Sequence, residues 1–418
     1  MKKNDTGPVG NAQLISKLNK IKVINEIRNS ITISRADVAR ESGLSAPTVS
    51  RIVDELIREG LVREIGEGVS QGGRRPTLLK ISARDNFIIG VDLGTTNIYG
   101  ILSDFDAKII AEIKRPTLVE EGFPGVMRRT AEIIGELSRW PAVEGKRIHG
   151  IGMAVAGLVN REKNIVEFSP DFHWRDADVV GALSQNGTPT VIFDNVTRVM
   201  ALGEALYGIG KEHKDFICVN VGYGIGAEII IDGKPFFGPL GMAGEFGHIT
   251  LDKNSRVQCD CGNYGCLEAL SSGNAIAKAA RNKVQGGAKS VLADMCGGDL
   301  SAITAEMVAN AAKQGDALSQ GVFDEATEYL GIGIANLINL FSPQAVVIGG
   351  GVAQAGDILF DKVRRTVFAR SLNKISSGVL IRPATFGLKA AVMGAVALIL
   401  GEVLNLRQGS NGIFNSKI

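Results

Sequence analysis

Long hydrophobic runs are missing from this chain. No apolar stretch reaches the roughly 18–20 residues that a membrane-crossing helix needs, and the Met-Lys-Lys-Asn start has no secretory pattern. A membrane partner is therefore excluded, and a cytoplasmic protein is expected. Cysteine is scarce, with five residues in 418. That excludes a secreted disulfide scaffold and suits a reducing compartment. Net charge is also small, +2 over the whole chain, and by itself it excludes no partner. Its distribution is more informative. Residues 1–84 hold 15 Lys and Arg against 9 Asp and Glu, whereas the remainder is mildly acidic. A small basic module on an acidic body points to a polyanion partner for the first segment only. Hydrophobic content of 45% and charged content of 22% describe a globular protein. The length implies two or three domains.

Three of the five cysteines crowd into Cys259-Asp-Cys261-Gly-Asn-Tyr-Gly-Cys266. Cys259 and Cys261 are too close for an easy mutual disulfide, and Gly262 and Gly265 let the backbone turn each sulfur towards one point. His248, eleven residues upstream of Cys259 in Gly-Glu-Phe-Gly-His, can join them. Three thiolates and one imidazole make a closed tetrahedral set with no open position, which predicts one structural zinc per chain. The plainer alternative is a set of inert thiols in a glycine-rich loop. Glu245 and Glu268 flank the proposed knot, which would hold two carboxylates and an imidazole towards one small polar ligand. Their alternative is a solvated loop.

The first segment reads as helix, turn, helix. Val23, Ile24 and Ile27 share one face of a helix that ends near Asn29. Ser34-Arg-Ala-Asp37 starts a second helix, Ser42-Gly43-Leu44 turns, and Ser45 caps a third with Pro47 in its first turn. Val49, Ile52, Val53, Leu56 and Ile57 form that helix's buried stripe. Pro47, Thr48, Ser50 and Arg51 are left free with Ser45, and a loop carrying Arg74 and Arg75 separates two strands. This is a winged helix-turn-helix over residues 1–84. Its third helix enters a DNA major groove, and its wing arginines meet the minor groove or phosphates. The alternative is a protein-docking helical module.

Beyond residue 84, Phe87–Asn97 is a buried strand entering a glycine turn, and the pattern recurs about 125 residues later at Asp215–Gly226. Two such units imply a duplicated α/β fold with two lobes, 85–195 and 196–418, facing each other across a cleft. Val346–Gly351 is a third strand-to-glycine turn. Ser169–Trp174 is a polar-aromatic loop suited to a cleft wall, and Val191–Asn195 is a strand whose end points into the cleft. The final helix, Ala390–Leu400, is expected to pack back on the first lobe.

Taken together, Gly-Gly-Arg-Arg-Pro (72–76), Asp-Leu-Gly-Thr-Thr-Asn (92–97), Gly-Glu-Phe-Gly-His (244–248) and the cysteine run to Glu268 resemble the ROK family of repressors and sugar kinases, over nearly the whole chain. The resemblance is closest to the repressor branch, a winged helix fused to an actin/hexokinase-like body. It implies zinc on His248, Cys259, Cys261 and Cys266. It also implies a monosaccharide held by Gly157, Asn195, Glu245, His248 and Glu268, with the histidine using one ring nitrogen for each partner.

Departures from the family's kinases bear on activity. Kinases carry Asn-Asp before the cleft helix, and that aspartate takes the sugar's proton. Here the pair is Asn195-Val196, and valine accepts no proton. Asp194 stands two residues early. Thr95 and Asn97 replace residues of the first phosphate turn, and Tyr223 interrupts the second. Asp92 and Gly349–Gly351 persist. The expectation is a transcriptional regulator without enzymatic activity, binding double-stranded operator DNA as a homodimer or dimer of dimers. The alternative is an ATP-dependent sugar kinase with an accessory DNA-binding domain. No cationic clamp for a phosphorylated ligand is legible. Leu158 beside Gly157 favours a neutral aldose such as xylose or glucose.

Overall fold

The computed structural model describes residues 12–30, 32–69, 75–184, 189–239 and 241–403. Arg74 lies outside the described residues. Three helices build the N-terminal module: α1 (Ala12–Asn29), α2 (Arg35–Ser42) and α3 (Ala46–Arg58). The Ser34 hydroxyl accepts from the Asp37 amide at 3.2 Å and starts α2. Gly43 takes the left-handed conformation that ends it, at φ 68°. Val49, Ile52, Val53 and Leu56 of α3 are buried, while Ile57 is half-buried. Lys20 of α1 reaches Glu55 at 2.8 Å and Glu59 at 2.7 Å. Such exposed pairs are worth ~0–1 kcal/mol each, so the apolar stripe carries most of the packing. Strands β1 (Val62–Glu67) and β2 (Thr77–Ile81) form the wing hairpin, and Ile33–Ser34 pairs with the far edge of β2.

The body is duplicated, as the recurring turns imply. The first lobe holds β3 (Asn86–Leu93), β4 (Asn97–Asp104), β5 (Ile109–Pro116), β6 (Arg147–Val155) and β7 (Val191–Asn195), in the order β7-β6-β3-β4-β5. The second holds β8 (Phe216–Val221), β9 (Ile225–Ile231), β10 (Lys234–Pro235), β11 (Ala345–Gly349) and β12 (Leu380–Pro383), in the order β12-β11-β8-β9-β10. Each sheet is an antiparallel three-strand meander extended by two parallel strands.

Helix α4 (Val196–Tyr207) leads from the first lobe to the second. The last helix, α6 (Ala390–Val403), follows α5 (Ala317–Phe341) in the chain and packs on α4, β3 and β6 of the first lobe. It is apolar all round and buried over most of its length. Glycine makes this close docking possible. A β carbon at Gly152 would collide with the Ala395 carbonyl, and one at Gly203 of α4 would come within 3.0 Å of the Gly394 backbone of α6.

One loop differs from expectation. Ser169–Trp174 does not form a cleft wall along its length. Phe172 and Trp174 stack at 4.4 Å and are buried in the first lobe's core, leaving Pro170 and Asp171 to the cleft. Aromatic area is worth more buried than lining a wet surface.

Gly152→Ala is expected to lower unfolding free energy by about 1–3 kcal/mol through overpacking. Gly321→Ala, on α5 with open space around it, is expected to raise it by roughly 0.4–1 kcal/mol. Urea titration of both variants checks this, and equal effects would contradict the docking argument.

Candidate functional site

Between the lobes lies a cleft of about 2700 Å³. Parallel strands β6 and β7 deliver their carboxyl ends to it, which places Gly157 and Asn195 side by side. Gly157 has φ 125°, and a β carbon there would come within 2.6 Å of the Phe168 carbonyl. Only glycine suits that position. Asn195 caps α4, accepting from the Thr197 amide at 2.9 Å and the Arg198 amide at 3.4 Å, and its Nδ2 donates to the Gly157 carbonyl at 3.0 Å. One N–H of that amide remains for a ligand.

Glu245, His248 and Glu268 come from the second lobe and line the same cleft. Glu268 accepts from the Ile225 amide at 2.8 Å. Gly224 has no room for a β carbon because the Glu268 carboxylate lies against it. The second glycine turn therefore seats a carboxylate, while the Tyr223 side chain stands exposed beside it. Burial, and then the Glu268 charge, push the Glu245 carboxyl upward against the opposing pull of His248 and Arg198.

His248, Cys259, Cys261 and Cys266 converge, with all four ligand atoms within 4.8 Å of one another. His248 Nδ1 is 3.6 Å from Cys259 Sγ, and Cys261 Sγ is 3.8 Å from Cys266 Sγ. A tetrahedral ion with bonds of about 2.3 Å to sulfur and about 2.0 Å to nitrogen sets these edges near 3.8 and 3.5 Å, so the cluster can hold a metal ion. Gly262 at φ 93° and Gly265 at φ 67° make the turns that bring the sulfurs together. The other ring nitrogen of His248 lies 4.0 Å from Glu245 Oε2. Cys259 Sγ lies 3.9 Å from Glu268 Oε1. The knot therefore touches both acids.

Cations also line the cleft, although no cationic clamp is legible in the sequence: Arg161, Arg198 and Arg281, with Lys114 and Lys389. Arg161 and Arg198 grip opposite oxygens of Asp194, the Arg198 contact being 3.2 Å. Arg198 also donates to the Gly241 carbonyl at 3.0 Å and lies 3.6 Å from Glu228. The Phe237 ring stacks against its guanidinium at 4.8 Å. Asp194 has no solvent exposure. No motif marks Arg161. Arg198 stands one helical turn beyond the cap Asn195, which is the only signal the sequence offers for it.

In the N-terminal module, Ser45, Pro47 and Arg51 are exposed and Thr48 and Ser50 half-exposed, at or along the first turns of α3. Ser45 has the extended backbone of a cap, but its hydroxyl pairs with the Thr48 hydroxyl at 2.8 Å and not with a backbone amide. This differs from the side-chain cap that the sequence implies and presents two hydroxyls as a unit. Arg75 is exposed at the base of the wing.

Known proteins share this architecture. The sequence profile of the ROK family matches residues 88–402, and a winged helix-turn-helix DNA-binding profile matches residues 18–63. The xylose repressor of Caldicellulosiruptor bescii is 34% identical, over 95% of this chain and 99% of its own. The crystal structure of a ROK family transcriptional regulator, a homologue of the E. coli MLC protein, superposes with a TM-score of 0.79 at 28% identity, covering 96% of this chain and 98% of that one. A ROK family glucokinase from Streptomyces griseus, crystallised with glucose and AMPPNP, has a TM-score of 0.67 at 30% identity over 75% of this chain and 98% of its own.

Cys261 is exposed, so Cys261→Ser removes one ligand without opening a cavity. After dialysis against a mild chelator, elemental analysis is expected to find about one metal ion per parent chain and several-fold less in the variant. Equal metal content in the two would contradict the four-ligand assignment.

Proposed function

The chain belongs to the ROK family, and from that premise we propose that it is a cytoplasmic, sugar-responsive repressor that binds operator DNA and releases it when a monosaccharide occupies the cleft. Residues 1–84 are assigned to DNA binding, with Ser45, Pro47, Thr48, Ser50 and Arg51 against base edges and Arg74 and Arg75 on the wing. Residues 85–195 and 196–418 are the two lobes. A homodimer, or a dimer of dimers, matches two-fold operator half-sites, whose spacing is fixed by the DNA. A shift of a few ångströms between reading heads is then enough to lose affinity.

The observation that carries this reading is the state of the catalytic position. Val196 stands where a proton acceptor would be needed, and the nearest carboxylate along the chain, Asp194, has both oxygens engaged by arginines. General-base assistance is worth about 10²–10⁴-fold, so a chain without it reports its ligand and does not phosphorylate it. Gly157, Asn195, Glu245, His248 and Glu268 are assigned to the sugar. Carboxylates and amides that each take paired hydroxyls reject ligands that lack them. The metal is assigned as zinc from the three-cysteine, one-histidine set, with a structural role because no ligand position stays open. Its work is to fix His248 so that Nε2 is aimed at the sugar.

Xylose is favoured as the effector, with glucose second. The name of the repressor relative supports xylose, and so does the pairing of Arg161 and Arg198, the arginines around Asn195, with Asp194 and Glu228, which weakens them as a clamp for a phosphorylated sugar.

The test uses the full-length chain and a DNA duplex enriched by it from a randomised pool. Xylose is expected to raise the duplex Kd at least about 10-fold, in the usual range of allosteric coupling, and to raise Tm as any ligand of the folded state does. Arg51→Ala and Arg75→Ala are expected to weaken DNA binding by about 1–3 kcal/mol with the sugar-induced Tm rise intact. Loss of the sugar response in those variants would contradict separate modules. Failure of every neutral aldose to alter DNA binding would sink the reading.

A further inference from the structure

Asn86 opens strand β3 at the end away from the cleft, and it is buried although polar, at 4% exposure. Its Nδ2 donates to the Gly60 carbonyl at 2.8 Å and to the Ser82 carbonyl at 2.5 Å. Gly60 follows the last residues of α3, the helix assigned to the major groove, and Ser82 follows the wing strand β2. One buried side chain from the first lobe thus grips the exit of the recognition helix and the exit of the wing. Its third contact is His149, whose Nε2 lies 2.6 Å from Asn86 Oδ1. With both amide hydrogens spent on carbonyls, Oδ1 can only accept. Nε2 of the imidazole therefore carries the proton. Burial first, and then Arg147, hold the His149 pKa down to about 4, so the ring is neutral near pH 7. The Phe105 ring packs against it at 4.8 Å.

His149 lies on β6, beside an irregularity in the β3–β6 pairing that falls between Phe87 and Ile89. Bulges of this kind re-aim a side chain out of the regular pleat. From His149, β6 runs straight to the cleft, roughly 25 Å at about 3.3 Å per residue, and delivers Gly157. The Gly157 carbonyl in turn holds Asn195. Two of the other polar ties at this junction, Lys80–Asp106 at 3.9 Å and Lys146–Asp85 at 3.9 Å, are exposed and long. The Asn86 node is short, buried and three-way.

We propose that Asn86 and His149 are positioning residues that carry the state of the cleft to the recognition helix. A monosaccharide closing on Gly157 displaces β6, and the Nε2–H bond of His149 to Asn86 passes that displacement to the Gly60 and Ser82 carbonyls, turning α3 and the wing together. This rests on the effector reading given under the proposed function. The node is sensitive because breaking any one of its bonds leaves a buried polar group unpaired.

The test compares the full-length parent with His149→Leu and His149→Gln, using xylose as the probe, glucose as a second probe, and the parent-selected duplex. A glutamine amide nitrogen can occupy the Nε2 position and donate to Asn86 Oδ1, whereas leucine keeps bulk and loses the donor. In His149→Leu the ratio of duplex Kd with sugar to that without is expected to fall at least fivefold towards one, while sugar affinity and sugar-free DNA affinity stay within threefold of the parent. His149→Gln is expected to recover most of the ratio. A parent-like ratio in His149→Leu overturns the proposal, and so does a His149→Gln that behaves like His149→Leu, since packing alone would then explain the effect. Should His149→Leu fail to fold, hydrogen exchange of the parent over residues 56–62 decides. Xylose is expected to change exchange there at least threefold, and unchanged exchange overturns the proposal. A parent whose DNA affinity ignores sugar removes the effector reading itself, a result distinct from a responsive parent with unresponsive exchange.

Discussion

A carboxylate with no solvent exposure needs cations around it, and Asp194 has two. Arg161 reaches it from the turn after Asn160, between β6 and β7 in the chain, and Arg198 from the first turns of α4. Arg198 then extends to the Gly241 carbonyl and Glu228 in the second lobe. One charge cluster therefore ties the end of β7, the start of α4 and the second-lobe loop that leads to Glu245. Burying such a group is costly, and removing one partner strands the others, so clusters of this type fix geometry more than they add stability. Burial pushes Glu228 up to about 7 even beside Arg198. The cluster is close to charge balance, which suits a neutral ligand.

The same constraint shapes the side of the cleft proposed to hold the sugar. Asn195 spends most of its amide on capping α4 and holding Gly157, and Glu268 spends one oxygen on the Ile225 amide. Each side chain is fixed by the backbone before a ligand arrives. The thiol knot adds a second rigid anchor, because His248 is shared between the sulfurs and the cleft. Such preorganisation lowers the ordering cost that binding a small ligand would otherwise carry. The body is joined to the N-terminal module by one continuous apolar core that includes Val23, Ile24 and Ile27 as well as Leu202 and Leu206 of α4.

Features with a local cause were legible in the sequence. The stripe of α3, the Ser34 cap, the duplicated glycine turns and the cysteine run each depend on residues near one another, and each appears at the expected place. Features set by distant partners were not. Arg161 has no pattern around it because its partner is 33 residues away. Phe172 and Trp174 looked like cleft residues because polar neighbours surround them, yet the first lobe's core takes them in. Ser45 was read as a side-chain cap, and the hydroxyl of Thr48 competes for it. Asn86 carries no signal in the sequence, and its contacts to Gly60 and His149 are ones that only the fold brings to it.

The central claim is that this cleft recognises a sugar and leaves it chemically unchanged, because Val196 cannot take a proton and Asp194 is held between arginines. The most direct measurement incubates the full-length protein with ATP, magnesium and xylose or glucose, and follows sugar phosphate by phosphorus NMR. The account predicts no sugar phosphate above the protein-free control, even where the same sugar raises Tm. Many turnovers per chain, abolished by Asp194→Asn, would contradict it.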